Sequence, residues 1–147
     1  MVEIREAQEQ DDLDVLMLAK KFVRESGSDL PFDRDHLHAN ILNMISNPAF
    51  VLLTAWKGGD LIGLLAGTKT PTLFSSALIA AELSWYVDPE FRDGTTGLKL
   101  VKAFEKWGKD NGCIKVAMSD IEELKDLQDL FSRIGYSVTE KTYTKDL

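Results

Sequence analysis

The chain has 147 residues, of which 44% are hydrophobic and 28% charged, the ordinary composition of one soluble domain. Its 24 acidic and 17 basic residues give a net charge of −7, which argues against nucleic acid and anionic membranes as partners. The single cysteine, Cys113, excludes an intrachain disulfide and a zinc site built from several thiolates.

The first residues of the chain do not resemble a secretory signal. Residues 1–6 (MVEIRE) contain neither its basic region nor its apolar stretch. No later window approaches the roughly 18 apolar residues of a membrane-spanning helix. Together with the low cysteine content, these observations lead us to expect a cytoplasmic protein.

The first third of the chain predicts a strand followed by two helices. Residues 2–7 alternate between apolar and polar, as a half-buried strand does. Residues 8–25 repeat apolar side chains every three or four positions, which predicts an amphipathic helix that residues 27–31 end. Asp33 can cap a second helix, which ends before Asn47-Pro48.

The middle of the chain predicts three strands. Residues 49–56 and 61–67 are rich in strand-forming side chains, and the Gly-Gly pair between them supplies the positive φ angles of a tight hairpin. Residues 68–76 contain a proline and several hydroxyls, which predicts a loop. A third strand follows at residues 77–87.

The last third predicts a helix, a strand, a helix and a strand. The buried face of the first helix carries Leu98, Val101, Phe104 and Trp107. A short apolar strand follows at residues 114–118. The last helix carries Ile121, Leu124, Leu127, Leu130 and Phe131, and Gly135 ends it. Residues 136–143 predict the closing strand.

This order of elements predicts an α/β (α+β) fold, with residues 1–147 as a single domain. We expect a mixed central sheet of about six strands, with two helices after the first strand and one before the last. The strand, helix and strand between residues 77 and 118 predict a parallel pair. The loop that follows the first of these strands then lies at a carboxyl edge of the sheet, where ligands tend to bind.

That loop, residues 88–97, has the composition of an anion site. Unpaired N–H groups at a helix start, aided by the helix dipole, can hold a phosphate without a cationic side chain. Glycine allows the ligand to approach the main chain closely. The alternative is that Gly94 and Gly97 only punctuate a turn before the helix, and the residues alone do not decide between the two.

The same segment resembles the signature of the GNAT superfamily of acetyl-CoA-dependent N-acyltransferases. That signature is Arg or Gln, two residues, Gly, one residue, then Gly or Ala, and it falls here on Arg92-Asp93-Gly94-Thr95-Thr96-Gly97. Gly97 matches the last glycine, whereas Thr95 stands where the signature has its first. The preceding stretch, Tyr86-Val87-Asp88-Pro89-Glu90-Phe91, looks like the family's strand end, and the predicted order of elements agrees along the whole chain.

The resemblance implies a GNAT-like fold and acetyl-CoA as the cofactor. It places the coenzyme A pyrophosphate on the amides of Asp93, Gly94, Thr95, Thr96 and Gly97. Pantetheine would run beside Tyr86 and Val87, where the strand splays from its parallel neighbour, and Arg92 would border the phosphates. Main-chain N–H groups near Val87 would polarise the thioester carbonyl.

Acyl transfer to an amine requires a base that removes a proton from the ammonium, and Glu82 is the candidate. Strand alternation places Glu82, Ser84 and Tyr86 on one face, so we expect the three to share a cleft as the catalytic residues. The alternative is that Glu82 forms an ion pair with a basic residue on a neighbouring strand or helix.

The general acid of this family is a tyrosine in the last helix, four residues before a Gly-aromatic pair. Counting back from Gly135 gives Phe131, which has no proton to donate. The role is therefore vacant, passes to Ser132 or Tyr136, or is unnecessary, because a thiol with a pKa near 8.5 can leave as the thiolate.

The function implied is transfer of an acetyl group from acetyl-CoA to a primary amine of a small molecule or protein by direct attack. The alternative is a catalytically degenerate GNAT-fold protein that binds coenzyme A and serves as an interaction module.

We expect the acceptor pocket at residues 26–32, residues 69–76 and Tyr143. The resemblance also implies a homodimer that forms through edge strands. His36 and His38 point about 200° apart on a helix, so we expect no metal site.

Overall fold

A computed structural model describes residues 1–92, 94–119 and 126–147. Its centre is a five-stranded sheet in the order β1-β2-β3-β4-β5. The first four strands are antiparallel, and β4 and β5 are parallel as predicted. The strands are β1 (Val2–Glu6), β2 (Phe50–Lys57), β3 (Asp60–Pro71), β4 (Leu78–Val87) and β5 (Cys113–Ala117).

The described residues form four α-helices beside the sheet: α1 (Asp12–Ser26), α2 (Arg34–Ser46), α3 (Thr96–Asp110) and α4 (Asp126–Arg133). Short 3-10 turns precede α1 (Glu9–Asp11) and follow β4 (Pro89–Phe91). Within the described part of the chain, no helix has the length and apolar character needed to cross a membrane.

Two predicted helix boundaries, at Gly27 and Asp33, are confirmed. Gly27 ends α1 with a φ of 66°, in the left-handed region that glycine tolerates best. The Asp33 carboxylate accepts the N–H of His36 at 3.0 Å and so caps α2. The predicted positions Ile121 and Leu124 of the last helix lie outside the described residues.

The predicted hairpin between β2 and β3 is also confirmed, since Gly58 and Gly59 have φ angles of 58° and 85°. The strand β3, predicted at residues 61–67, is however longer than predicted. Residues 68–71, expected in a loop, extend β3 because they pair with the first half of β4, from Thr68 opposite Ala81 to Pro71 opposite Leu78.

The sheet separates two apolar clusters. The face that α1 and α2 cover, the α1–α2 face, contains Val15, Leu18, Ile41, Leu64 and Tyr86 among others. The opposite α3 face contains Leu65, Ala80, Val87, Leu100, Val101 and Phe104 among others. A Cβ at Gly67 would overlap the Phe104 ring, so this position requires glycine for α3 to pack closely.

The closing strand predicted at residues 136–143 does not form, so the described residues build a sheet of five strands rather than about six. After α4, the main-chain N–H groups of Gly135 and Tyr136 bond back to Ser132 and Phe131. Residues 137–147 are exposed and mostly polar, so pairing them with the sheet would bury little apolar surface.

Candidate active site

The strands β4 and β5 separate halfway along β4. Pairing joins Leu78–Ala81 of β4 to residues 113–117 of β5, and from Glu82 to Val87 the described residues provide no strand on that side. The sheet is therefore open at the carboxyl end of β4, and the connection to α3 begins there. This is the edge at which the sequence predicts a ligand site.

A β-bulge interrupts β4 at the point where the strands separate. Glu82 and Ser84 pair with the adjacent residues Gly67 and Ala66 of β3, which leaves Leu83 as the extra residue. The bulge reverses the alternation of side chains. The prediction that Glu82, Ser84 and Tyr86 share one face is wrong for this reason.

The register assigns the three side chains to different faces. Tyr86 lies opposite Leu64, and both belong to the cluster beneath α1 and α2. Ser84, two residues before Tyr86, lies on that same α1–α2 face. Glu82 comes two residues after Ala80, before the bulge, and therefore lies on the α3 face, where Ala80 packs.

Glu82 is a half-buried carboxyl in the notch between β4 and β5. Burial raises the pKa of Glu82 to about 7, although the nearby main chain of Ser119, which follows β5, favours the charged form. None of the ion pairs among the described residues includes Glu82. A carboxyl with this pKa can accept a proton near neutral pH.

The start of α3 is arranged as an anion site. Thr95 occupies the cap position, but its side chain caps no N–H group, and no acidic residue lies in the first turn. Lys99 and Lys102 are exposed near this end, where the helix dipole by itself disfavours cations. Among the described residues, no side chain therefore caps the first N–H groups of the helix, which is a position where a phosphate can bind. Asp93, also predicted to bind the cofactor, lies outside the described residues.

The residues of this loop differ in exposure. Gly94 and Thr95 are exposed, whereas Thr96 is buried. Thr95 has a φ of −107°, which a β-branched residue adopts without strain. A Cβ at Gly97 would lie 3.2 Å from Cζ2 of Trp85, so glycine lets the helix start approach β4 closely. The indole N–H of Trp85 is buried and has no hydrogen-bond partner in the described structure.

Arg92 turns back toward α1. Its Nε donates to the Val87 carbonyl at 2.7 Å, and its Nη1 donates to Glu25 Oε1 at 2.7 Å. The guanidinium also lies over the Tyr86 ring, 5.2 Å from the ring centroid. Glu25, which the sequence did not single out, receives the Tyr86 hydroxyl as well, at 2.7 Å.

Tyr86 is therefore a hydrogen-bond donor with a fixed partner. Burial, together with the Glu25 carboxylate, raises the pKa of Tyr86 above its ordinary value, so the hydroxyl stays protonated. The Tyr86 bond, opposed by burial and assisted by Arg92, lowers the pKa of Glu25. This arrangement gives Tyr86 a structural contact on the face away from Glu82.

The aromatic residues near α4 offer no free hydroxyl beside Glu82. The Phe131 ring packs between Trp85 and Tyr136, at centroid distances of 5.6 and 5.3 Å. The Tyr136 hydroxyl donates to Glu105 of α3 at 2.8 Å, and burial raises its pKa. Ser132 is exposed.

The loops expected around the acceptor do not all lie at this end of the sheet. Antiparallel pairing of β3 with β4 puts residues 72–77 at the amino end of β4, opposite to Val87. Lys69 bonds there to Asn111, at 3.0 Å. The prediction that residues 69–76 line the cleft is therefore wrong. The loop after α1 does begin at the cleft end, because Glu25 contacts Arg92.

The two histidines have separate partners: His38 bonds to Asp12 at 2.8 Å and His36 to Asn40 at 3.1 Å. Across residues 1–92, 94–119 and 126–147, no three His, Cys, Asp or Glu side chains come together as a metal site requires.

A sequence comparison agrees with these features of the site, namely the separation of β4 from β5, the uncapped start of α3 and the half-buried Glu82. Residues 14–136 match the model of the acetyltransferase (GNAT) family. The chain belongs to the GNAT acetyltransferase family. No curated protein matches it in sequence.

Solved structures confirm the GNAT fold. An aminoglycoside N-acetyltransferase, AAC(6')-Iy in complex with CoA, matches with a TM-score of 0.82 and 18% identity, over 100% of this chain and 95% of that one. An acetyltransferase from Trypanosoma brucei matches with 0.77 and 21% identity over 100% of both chains. A predicted acetyltransferase from Clostridium acetobutylicum with acetyl-CoA matches with 0.81 and 15% identity, over 99% of this chain and 96% of that one.

Proposed function

We propose that this protein is an acetyl-CoA-dependent N-acetyltransferase that transfers the acetyl group to a primary amine of a small molecule or protein. The observation that carries the proposal is the position of Glu82. Its carboxyl, with a pKa of about 7, lies in the notch where β4 and β5 separate, on the strand that leads to the uncapped start of α3.

The residues present fit coenzyme A. The N–H groups of Gly94, Thr95, Thr96 and Gly97, with Asp93 before them, would hold the pyrophosphate, because among the described residues the first turn of α3 has no acidic side chain and Thr95 caps no N–H group. The free edge of β4 at Tyr86 and Val87 would run beside pantetheine. Two of the fold neighbours carry CoA or acetyl-CoA, which supports this assignment.

Acetyl-CoA supplies an acetyl thioester that is already activated. Glu82 would take the proton from the acceptor ammonium, directly or through a water, and the neutral amine would then attack. A half-buried carboxyl with a pKa of about 7 suits this step, since it is partly ionised at neutral pH and still basic enough to take the proton. Main-chain N–H groups near Val87 would stabilise the charge on the carbonyl oxygen.

The thiolate would leave without a protein acid. Phe131 has no hydroxyl, and Tyr136 is bonded to Glu105. A thiol pKa near 8.5 makes the thiolate an acceptable leaving group near neutral pH, so turnover is slower without an acid but not abolished.

An amine acceptor is supported by the family and by the aminoglycoside N-acetyltransferase among the fold neighbours. The acceptor would approach the notch between β4 and β5, where the Glu82 carboxyl lies. The net charge of −7 favours a cationic amine over an anionic one.

The test is release of free thiol from acetyl-CoA in the presence of a panel of amines, including a polyamine, an aminoglycoside and a peptide with a free α-amine. We expect one class of amine to raise the rate well above hydrolysis, and Glu82→Gln to remove most of that increase. The control is Glu90→Gln, an exposed carboxyl in the turn after β4, which should leave the rate unchanged.

Phe131 favours a second candidate, a GNAT-fold protein that binds coenzyme A and acts as an interaction module. This candidate predicts saturable binding of CoA together with thiol release that no amine accelerates. Equal rates for the wild type and Glu82→Gln would then support the interaction module over the enzyme.

A further inference from the structure

Two ion pairs join the end of α1 to the connection between β4 and α3. Lys21 Nζ lies 2.8 Å from Asp88 Oδ2, and one helical turn later Glu25 Oε1 lies 2.7 Å from Arg92 Nη1. The Glu25 pair is the more constrained of the two, because its second carboxylate oxygen accepts the Tyr86 hydroxyl. The Lys21 side chain, by contrast, is 59% exposed.

Arg92 ties the connection between β4 and α3 to two other elements. Its Nε bonds the carbonyl of Val87, the last residue of β4, while Nη1 bonds Glu25. A guanidinium is rigid and planar. Two hydrogen bonds from different nitrogens to different acceptors therefore fix both its position and its orientation. The residue at which the anion-binding loop begins is thereby tied to β4 and α1 together.

These contacts suit Arg92 to ordering the loop that follows it, and not to contacting a phosphate directly. Its guanidinium is already paired with the Glu25 carboxylate and lies over the Tyr86 ring. An anion held by amides binds more tightly when those amides are ordered in advance, because less conformational entropy is lost on binding. Fixing Arg92 orders the start of the segment that leads to Gly94 and Gly97.

We propose that Glu25 is a positioning residue for coenzyme A: it holds Arg92 against the end of β4 and so fixes the anion-binding start of α3. The proposal rests on the proposed function, since it concerns the same cofactor site. Glu25 acts through Arg92, and Arg92 acts through the main chain of the loop.

The experiment measures the Kd of CoA by calorimetry and the KM for acetyl-CoA in Glu25→Gln, Arg92→Ala and the double variant. Each single substitution should raise both constants about tenfold, with kcat changed less than about twofold, and the double variant should be no worse than the worse single one. Lys21→Met removes the neighbouring ion pair and is the control, with an unchanged Kd. Arg92→Lys should resemble Arg92→Ala, because one ammonium cannot span Val87 and Glu25.

Three results would overturn the inference: an unchanged Kd in Glu25→Gln, effects that multiply in the double variant, or full recovery in Arg92→Lys. The last two would mean that Arg92 contacts the phosphates as an independent charge. Failure of the proposed function is distinct, since the wild type itself would then bind no CoA.

Discussion

Glu82 and Tyr86 lie on opposite faces of β4, although four residues of a regular strand would bring them to the same face. The extra residue of the bulge, Leu83, separates them. One side of the strand therefore presents a carboxyl of raised pKa to the notch beside β5. The other side presents a phenol that bonds to Glu25 on α1. Of the three predicted catalytic residues, Glu82 alone faces this notch, and it is the base that we propose.

The first prediction concerns the pH dependence of turnover. A base with a pKa of about 7 must lose its proton before it can act, so kcat/KM should rise through about pH 7 and level off above it. Glu82→Gln should lower the plateau about 100-fold and remove this limb. Steady-state rates from pH 5.5 to 9 check both. A limb that persists in Glu82→Gln would show that another group titrates.

The second prediction concerns stability. The folded state raises the pKa of Glu82 from about 4.5 to about 7, so folding favours the protonated carboxyl. That stabilisation is present below about pH 4.5 and is lost as the pH rises through about 7. Relative to Glu82→Gln, the wild type should lose up to about 3 kcal/mol of unfolding free energy over this interval. Urea unfolding at pH 4.5 and pH 8 measures the difference, and equal differences at both pH values would contradict it.

The third prediction separates Tyr86 from the chemistry. Tyr86→Phe removes the hydrogen bond to Glu25 and should cost about 1 kcal/mol of stability. It should change kcat less than about twofold, because the hydroxyl faces away from Glu82. Thermal unfolding and steady-state kinetics provide the two readouts. A loss of kcat like that of Glu82→Gln would restore Tyr86 as a catalytic residue.

The fourth prediction compares two glycines. Gly67→Ala places a methyl group against the Phe104 ring in the core and should destabilise the fold by about 1–3 kcal/mol. Gly94→Ala meets no atom within 4 Å and should leave stability within about 0.5 kcal/mol of the wild type. Urea unfolding of both variants is the test. Equal stability of the two would contradict the close packing of α3 on the sheet.

Local signals in the sequence located most of the elements. Gly58-Gly59, Gly27 and Asp33 act through their own backbone preferences or through a bond three residues away, so their effects can be read from neighbouring letters. The parallel pairing of β4 with β5 followed from the strand-helix-strand order.

Contacts between distant parts of the chain could not be predicted from these local signals. The bulge at Leu83 depends on how β4 pairs with β3, and alternation alone gives no sign of it. Glu25 and Arg92 are 67 residues apart in sequence and meet only because α1 packs across the end of β4. The closing strand failed because residues 137–147 have strand-like composition but little apolar surface to bury.

The central claim is that the uncapped start of α3 and the free edge of β4 together bind coenzyme A. Calorimetric titration of the wild-type protein with CoA tests it most directly. The account predicts a saturable heat of binding with one CoA per chain. The absence of any heat or thermal shift at millimolar CoA would contradict it.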